Sequence, residues 1–237
     1  MTEAWKEHEE IQENYWWHRH KMEFLLRMAE TSGYKQALEI GSAGGNLSHR
    51  LKKSCRRVTL DLTKEHVQKG GVACRLPQLC FRPDTFDLVL LSEVLEHLDR
   101  PVESLKAIHE SMSAGGRCLI TVPAWPALWS AHDVFYGHRK RYTPSMLVSE
   151  VAAAGFRIQK RGWIFFMPLW AAFAIRGLKK LRAGSESAPA SDFIRLPGWL
   201  NRLCHGYLKF VEEPLAVRMW LPAGLTLTMV AVKPGTP

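Results

Sequence analysis

Cysteines at C-x-x-C spacing are missing from this chain. Its five cysteines, Cys55, Cys74, Cys80, Cys118 and Cys204, lie apart, several of them in apolar runs where cysteine behaves as a small hydrophobe. Neither a disulfide-stapled scaffold nor a zinc knuckle is expected. Long apolar runs are also absent: the stretches without a charged residue, 162–175 among them, all fall short of the roughly 18 residues that a membrane span needs. The N-terminus, MTEAWKEHEE, is too charged for a secretory signal, so a cytoplasmic protein is expected. Acidic residues are the scarce charge. Asp and Glu number 23 against 32 Lys and Arg, a formal net charge of +9 that favours anionic partners: phosphorylated metabolites, nucleic acid or an anionic membrane surface. Two nucleotide signatures are incomplete as well. In G-S-A-G-G-N, from Gly41, Ala43 and Asn46 stand where a dinucleotide fingerprint has its second and third glycines, and no G-K-[ST] follows to make a P-loop.

What is present is a chain of 237 residues, 46% hydrophobic, enough for one sizeable core with an elaboration. The stretch ALEIGSAGGNL, 37–47, reads as a strand, a tight turn and a helix start, because glycines at 41, 44 and 45 suit a backbone that takes positive φ or lets a ligand approach. Leu47 to Leu51 are expected to continue as a helix whose N-terminal amides face the turn. VTLDL, 58–62, is a second strand ending in Asp61, about 20 residues beyond the turn, where an acid can accept hydrogen bonds from ribose hydroxyls. A third strand is expected at 72–75 and a buried fourth one leading to Ser92 and Glu93. Pro101 then opens a helix in which Val102, Leu105, Ile108 and Met112 repeat until Gly115 and Gly116 end it. Cys118 to Pro123 form a fifth strand, Ser145 to Ala154 a helix, and Gly155 and Phe156 open a sixth strand. Strands alternating with helices in this rhythm give a doubly wound, mostly parallel α/β sheet.

These residues resemble motif I of the class I S-adenosylmethionine-dependent methyltransferases, acidic-x-Gly-x-Gly-x-Gly, through Glu39, Gly41 and Gly45, with Ala43 at the middle glycine. The succession Leu76-Pro77, Phe81, Thr85 to Val89 and Ser92-Glu93 is similar to the same family. Arg75 departs from it, standing where an Asp that receives the adenine amino group is common. The resemblance covers about 36–160 and 224–234. It implies a Rossmann-like, seven-stranded sheet with an antiparallel last strand, and S-adenosyl-L-methionine as cofactor, held by Glu39, Gly41, Ser42, Ala43, Gly45, Asp61, Leu62, Leu76, Ser92 and Glu93.

The sulfonium is already a strong methyl donor, so the protein has mainly to hold a nucleophile in line, about 3 to 3.5 Å from the methyl carbon. A hydroxyl nucleophile also needs a base, worth about 10² to 10⁴ in rate. Glu93, Glu96 and His97 stand at i, i+3 and i+4; on a helix they would share one face. This E-x-x-E-H resembles the motif of ubiquinone-pathway O-methyltransferases and of small-RNA 3′-terminal 2′-O-methyltransferases, in which such residues help bind a divalent ion. The same E-H also lines metal-free pockets in the family. A metal-free site is the favoured reading, with Glu93, Glu96 and His97, joined by His132 or His138, as ligands if a divalent metal is used. Glu96, His97 and His138 are the expected catalytic residues. His132, Arg139, Arg141 and Tyr142, from the long connection 124–142, are the expected acceptor-binding residues.

Three units are expected: an N-terminal helical cover over 1–35, a core over 36–162 and 223–237, and a helical insertion over 163–222. The cover carries Trp16 and Trp17 beside His18 to Lys21, an aromatic face that reads as core before it reads as a substrate platform. In the insertion, Leu169, Trp170, Phe173, Gly177, Leu178 and Leu181 make an apolar stripe beside Arg176, Lys179, Lys180 and Arg182. That pattern fits a helix lying on an anionic membrane surface or a lid packed on its own domain. A linker, 184–191, then leads to a second helical stretch around 199–211. The function expected is O-methylation of a small-molecule or lipid-linked acceptor. RNA 2′-O-methylation and a non-catalytic partner protein are the alternatives, and the oligomeric state stays open.

Overall fold

The computed structural model describes residues 15–30, 33–42, 47–51, 55–62, 71–182, 196–218 and 221–235. Short apolar runs become the strands of one sheet. β1 (Gln36–Ile40) lies parallel between β2 (Arg56–Asp61) and β4 (Phe86–Ser92), with Leu38 opposite both Val58 and Val89. β3 is the two-residue edge strand Val72–Ala73. The sheet is completed by β5 (Met112–Pro123), β6 (Arg157–Ile164) and β7 (Thr226–Val232), in the order β3-β2-β1-β4-β5-β7-β6. β7 runs antiparallel to both β5 and β6, as expected for the last strand, and all its residues are buried. The neighbours β1 and β4 are far apart in sequence. Strand order therefore reverses beside β1, and a crevice opens outside the carboxyl ends of the strands at such a point.

α1 (Trp16–Glu30) lies across this sheet, with Phe24, Leu25 and Met28 facing Leu119, Ile120 and Met229. Each of these side chains contributes about 1.5 to 3 kcal/mol by leaving water. Trp17 stacks on Phe165, ring centroids 3.7 Å apart and planes 12° from parallel, so this tryptophan is spent on packing. α2 (Pro101–Ser111) has proline in its first turn and buries Leu105 and Ile108. It ends before the expected Gly115-Gly116. The amides of Asp84 and Thr85 take the carbonyls of Glu110 and Ser111, and Met112 already pairs with Phe86 in the sheet. Gly116 serves the start of β5 instead, where a Cβ would stand 3.1 Å from the Phe86 carbonyl oxygen.

The helix expected from Leu47 to Leu51 is only the single 3₁₀ turn Ser48–Arg50 among the described residues. Leu47 and Leu51 are buried there, whereas His49 and Arg50 are exposed. Further along come α3 (Ala131–Phe135) and α4 (Pro144–Ala153), the latter capped by the Thr143 hydroxyl on the Met146 amide. β6 continues to Ile164, so the helical segment begins at α5 (Phe166–Arg182). α6 (Gly198–Tyr207) passes through a π-helical turn, Leu208–Glu212, into α7 (Glu213–Val217). These helices rest on α1 through Asn201 Oδ1, which accepts from the Trp16 amide, and through Glu23, which His205 and Lys209 approach at 3.3 and 3.6 Å. The buried Glu212 carboxylate accepts from the amides of Phe165 and Phe166 and so satisfies the first turn of α5.

Candidate active site

At the carboxyl end of β1 the chain leaves the sheet through Gly41, whose φ is +69°. A Cβ at this position would stand 2.6 Å from Val94 Cγ2, so the turn demands glycine for conformation and for space. The Gly41 amide donates to the Leu60 carbonyl, and the next residue, Ser42, buries a hydroxyl that has no hydrogen-bond partner among the described residues. Ala43 and Gly45 lie outside the described residues. At the end of β2, Asp61 is buried and its Oδ1 accepts from the Leu62 amide at 2.7 Å, while the Leu62 side chain is exposed. Glu39 is buried in β1, Leu76 packs half-buried against the core, and Arg75 is exposed.

β4 stays paired through Ser92 to Thr121, and the Glu93 amide still bonds the Thr121 carbonyl. The chain then has to turn at once: Glu93 takes φ +56° and only Leu95–His97 form a 3₁₀ turn. Glu93, Glu96 and His97 therefore do not share one helical face. What gathers instead is Glu96, His97 and His138, whose potential ligand atoms all lie within 4.8 Å of one another. The other side of this cluster comes from 137–139, laid along 95–97 by the Arg139 amide on the Glu96 carbonyl and by Arg139 Nε on the His97 carbonyl.

Glu96 is fully buried and neither carboxyl oxygen has a hydrogen-bond partner among the described residues. Burial, and after it the nearby Glu93, raise its pKa well above the ordinary carboxylate value, against the pull of Lys21 and Arg141. His97 Nδ1 stands 3.3 Å from the Gly137 carbonyl and must be the protonated nitrogen of that contact. Crowding by protein, then the His138 ring 4.9 Å away, lower the His97 pKa to about 4; its exposed edge tempers the shift, and the ring is neutral at pH 7. His138 Nδ1 meets Asp133 Oδ1 at 2.9 Å. Asp133 itself is fully buried: burial pushes its pKa up, but His138 and Arg141 outweigh it and hold the carboxyl down at about 2. An ionised acid that fixes one imidazole nitrogen leaves the other for chemistry.

Two participants were not legible as such. Asp133 closes a capping box with Ser130 at the start of α3, an S-x-x-D spacing that the sequence does contain. Lys21 is 5% exposed and holds Nζ 4.0 Å from Glu93 Oε1. Its signal was a lysine at the inward spacing of Phe24, Leu25 and Met28. Among the expected acceptor-binding residues, Arg141 is buried, donating Nε to Asp133 and Nη1 to the Ala124 carbonyl. Tyr142 is buried too, with its hydroxyl on Glu150 at 3.0 Å. Arg139 pairs at the surface with Asp99, and His132 lies against the Tyr136 ring, 4.7 Å between centroids.

With this geometry in hand, a sequence model described as a methyltransferase domain matches residues 11–161. The chain belongs to that family. It is an S-adenosylmethionine-dependent methyltransferase. A ubiquinone biosynthesis O-methyltransferase of Aeromonas salmonicida is 28% identical over 57% of this methyltransferase and 68% of its own length. One of Pseudomonas aeruginosa is 29% identical, but over only 37% of this chain and 44% of its own. Among solved structures, a methyltransferase in complex with the Haloferax volcanii Trm112 methyltransferase activator superposes with a TM-score of 0.63 at 16% identity, covering 98% of this chain and 95% of that one. The N-methyltransferase NodS of Bradyrhizobium japonicum, bound to S-adenosyl-L-homocysteine, gives 0.51 at 17% identity over 64% and 81%. These two show that the methyltransferase shares their fold.

Proposed function

We propose that this methyltransferase transfers the methyl group to a hydroxyl of a lipid-linked or small-molecule acceptor, with His138 as the base. The observation that carries the reading is the group Glu96, His97 and His138 at the end of β4, with His138 fixed by a buried, ionised Asp133. Gly41, Ser42 and Asp61 would hold the cofactor, Asp61 at its ribose, with Glu39, Ala43, Gly45, Leu62, Leu76, Ser92 and Glu93 around the rest of it. An acceptor oxygen beside His138 could pass its proton to the ring nitrogen that Asp133 leaves free while the oxygen attacks the methyl carbon. Lys21 and Glu96 would line the same pocket. His132 and Arg139, at its rim, are the remaining candidates for acceptor contact; Arg141 and Tyr142 would serve by holding the 124–142 connection in shape.

A lipid-linked acceptor draws support from exposed apolar side chains on the helical segment. Met167, Trp170 and Phe173 on α5, and Trp199, Leu203 and Phe210 on α6 and the turn after it, meet solvent. Basic residues follow in the sequence of α5. Such a face suits a peripheral seat on an anionic membrane, and the name of the Aeromonas salmonicida relative, ubiquinone biosynthesis O-methyltransferase, agrees with an acceptor of this kind.

A divalent metal is a second reading, favoured by the donor set itself. One carboxylate with two unpartnered oxygens and two imidazoles, each with Nδ1 engaged by an oxygen, match what a borderline ion such as Mn²⁺ or Zn²⁺ takes. Glu96, His97 and His138 would hold it, and it would supply a Lewis acid at the acceptor oxygen. The deciding experiment is transfer of labelled methyl from S-adenosylmethionine into a host extract, with and without chelator, followed by separation of lipid, RNA, protein and small-molecule fractions. Label in the lipid or small-molecule fraction supports the proposal. Label confined to RNA or protein, or none at all, overturns it, and a loss on chelation that Mn²⁺ or Zn²⁺ restores selects the metal reading.

A further inference from the structure

α1 sends one cation to the end of β4. Its buried face carries Phe24, Leu25 and Met28 onto the sheet, and one turn earlier the same face carries Lys21, 5% exposed. The other cations of α1 turn elsewhere: Arg19 pairs with Glu23 and Arg27 with Glu213, while the neighbouring His20 lies 3.8 Å from Glu213 Oε2. Burying an ammonium costs stability unless a partner meets it. For Lys21 the ion-pair partner is Glu93 Oε1, and the 4.0 Å between them is too long for a hydrogen bond. Glu93 Oε1 is itself buried with no hydrogen-bond partner among the described residues. A nitrogen and an oxygen so placed leave room for one ligand oxygen within hydrogen-bonding distance of both. Glu93 is held there at a cost, since its φ of +56° is one that residues with a side chain rarely adopt. Three residues on stands Glu96, fully buried and unpartnered, with a carboxyl oxygen within 4.8 Å of ring nitrogens of His97 and His138.

We propose that Lys21 is a catalytic residue of the methyl transfer: its ammonium binds the acceptor oxygen and stabilises the negative charge that develops there as the proton leaves. The proposal rests on the reading of Glu96, His97 and His138 as the acceptor site. The hydroxyl proton passes to the free ring nitrogen of His138, and the electron pair of the broken O–H bond stays on the oxygen. Lys21 meets that oxygen with a charge-assisted hydrogen bond and gives up no proton. Before an acceptor enters, Glu93 is the counter-charge that keeps Lys21 in place. A fixed cation in a site poor in water acts on such an oxygen far more strongly than one in solution. Packing alone gives no reason for a lysine at this position, because a methionine would cover the same apolar surface without a charge to bury.

The test adds 4-nitrophenol, which turns yellow only on ionising, to the full chain at one fixed pH where the free probe is mostly neutral. Wild type is expected to raise the ratio of ionised to neutral probe about tenfold in the bound state. Lys21→Met should abolish the gain, and Lys21→Arg should keep most of it. Urea melts report the fold separately, and Lys21→Met is expected to melt no earlier than wild type. A wild type that leaves the probe neutral, or a methionine variant that ionises it equally, overturns the proposal. So does a folded arginine variant that loses the gain, since the effect would then belong to shape and not to charge. In methyl transfer into host lipid and small-molecule fractions, Lys21→Met should lose about 10² in rate and Lys21→Arg much less. If wild type ionises the probe yet labels neither fraction, the acceptor reading fails while the contact of Lys21 with an oxyanion stands.

Discussion

Alanine at position 41 would set its Cβ 2.6 Å from Val94 Cγ2 on a backbone with φ +69°, two penalties at one atom. We expect Gly41→Ala to cost about 1 to 3 kcal/mol and to weaken S-adenosylmethionine binding. Adding Val94→Ala should recover part of the loss, the steric part, which paired urea melts of the single and double variants will separate. At the acceptor side, His138→Gln removes the proposed base and should lower methyl transfer by about 10² to 10⁴ while cofactor binding is kept. Asp133→Asn is subtler, because Asp133 also holds Arg141. It should move the pH profile of transfer as well as its rate, since the acid acts through the His138 ring. A uniform loss at every pH would mean that Asp133 only supports the loop.

Elements, more than residues, decide where the methyltransferase would meet a membrane. α6 buries His205 toward α1, yet Trp199 is 62% and Phe210 75% exposed, and Trp170 on α5 is 57% exposed. If these side chains seat the protein on lipid, each alanine replacement should weaken binding to phosphatidylglycerol vesicles by roughly tenfold. Phosphatidylcholine vesicles should bind less well from the start, and salt should narrow the gap. Equal, weak partition to both lipids, unmoved by the replacements, would leave the helices as a lid. The same elements show what the sequence could not carry. The apolar spacing of α2 ran on past Ser111, because nothing local reveals that Asp84 and Thr85 arrive to take its last carbonyls. The E-x-x-E-H stretch looked helical for a similar reason, since only the pairing of β4 with β5 forces the turn at Glu93.

Across the whole molecule, stability should fall on the acid side of neutrality. His20 is fully buried with neither ring nitrogen hydrogen-bonded, and burial, then His205, lower its pKa to about 4, against the pull of Glu23 and with a further push from Arg27. The unfolded chain takes up this proton near the ordinary histidine value, 6.5, whereas the folded protein resists it down to about 4. The contribution is complete above 6.5 and is lost as the pH falls through that window, on the order of 2 kcal/mol. Glu96, Glu212 and Glu213, raised mainly by burial, work in the opposite sense, their share being lost as the pH rises. Urea melts of wild type and His20→Leu isolate the histidine: the wild type should lose stability relative to the variant from pH 7 to pH 4. Most of the sheet was legible because β1, β2, β4 and β7 are short apolar runs with local turn signals, and Gly41 and Asp61 sit at their ends. Asp133 was not, because the path of the 124–142 connection that brings it to His138 is set by the fold, and neither were Lys21 and Glu212, since each acts on a partner tens of residues away. Sequence spacing carries no record of such a meeting.

Glu212 has a mechanical consequence. Its carboxylate grips the amides at Phe165 and Phe166, so the start of α5 is fastened to the helical run that follows the 183–195 connection, and that run is in turn fastened to α1. A protease cut within 183–195 would therefore break one covalent link and leave a non-covalent clasp intact. The two fragments should travel as one particle in gel filtration and part only in denaturant, since β7 of the second lies between β5 and β6 of the first; Glu212→Ala should loosen the start of α5 without separating them.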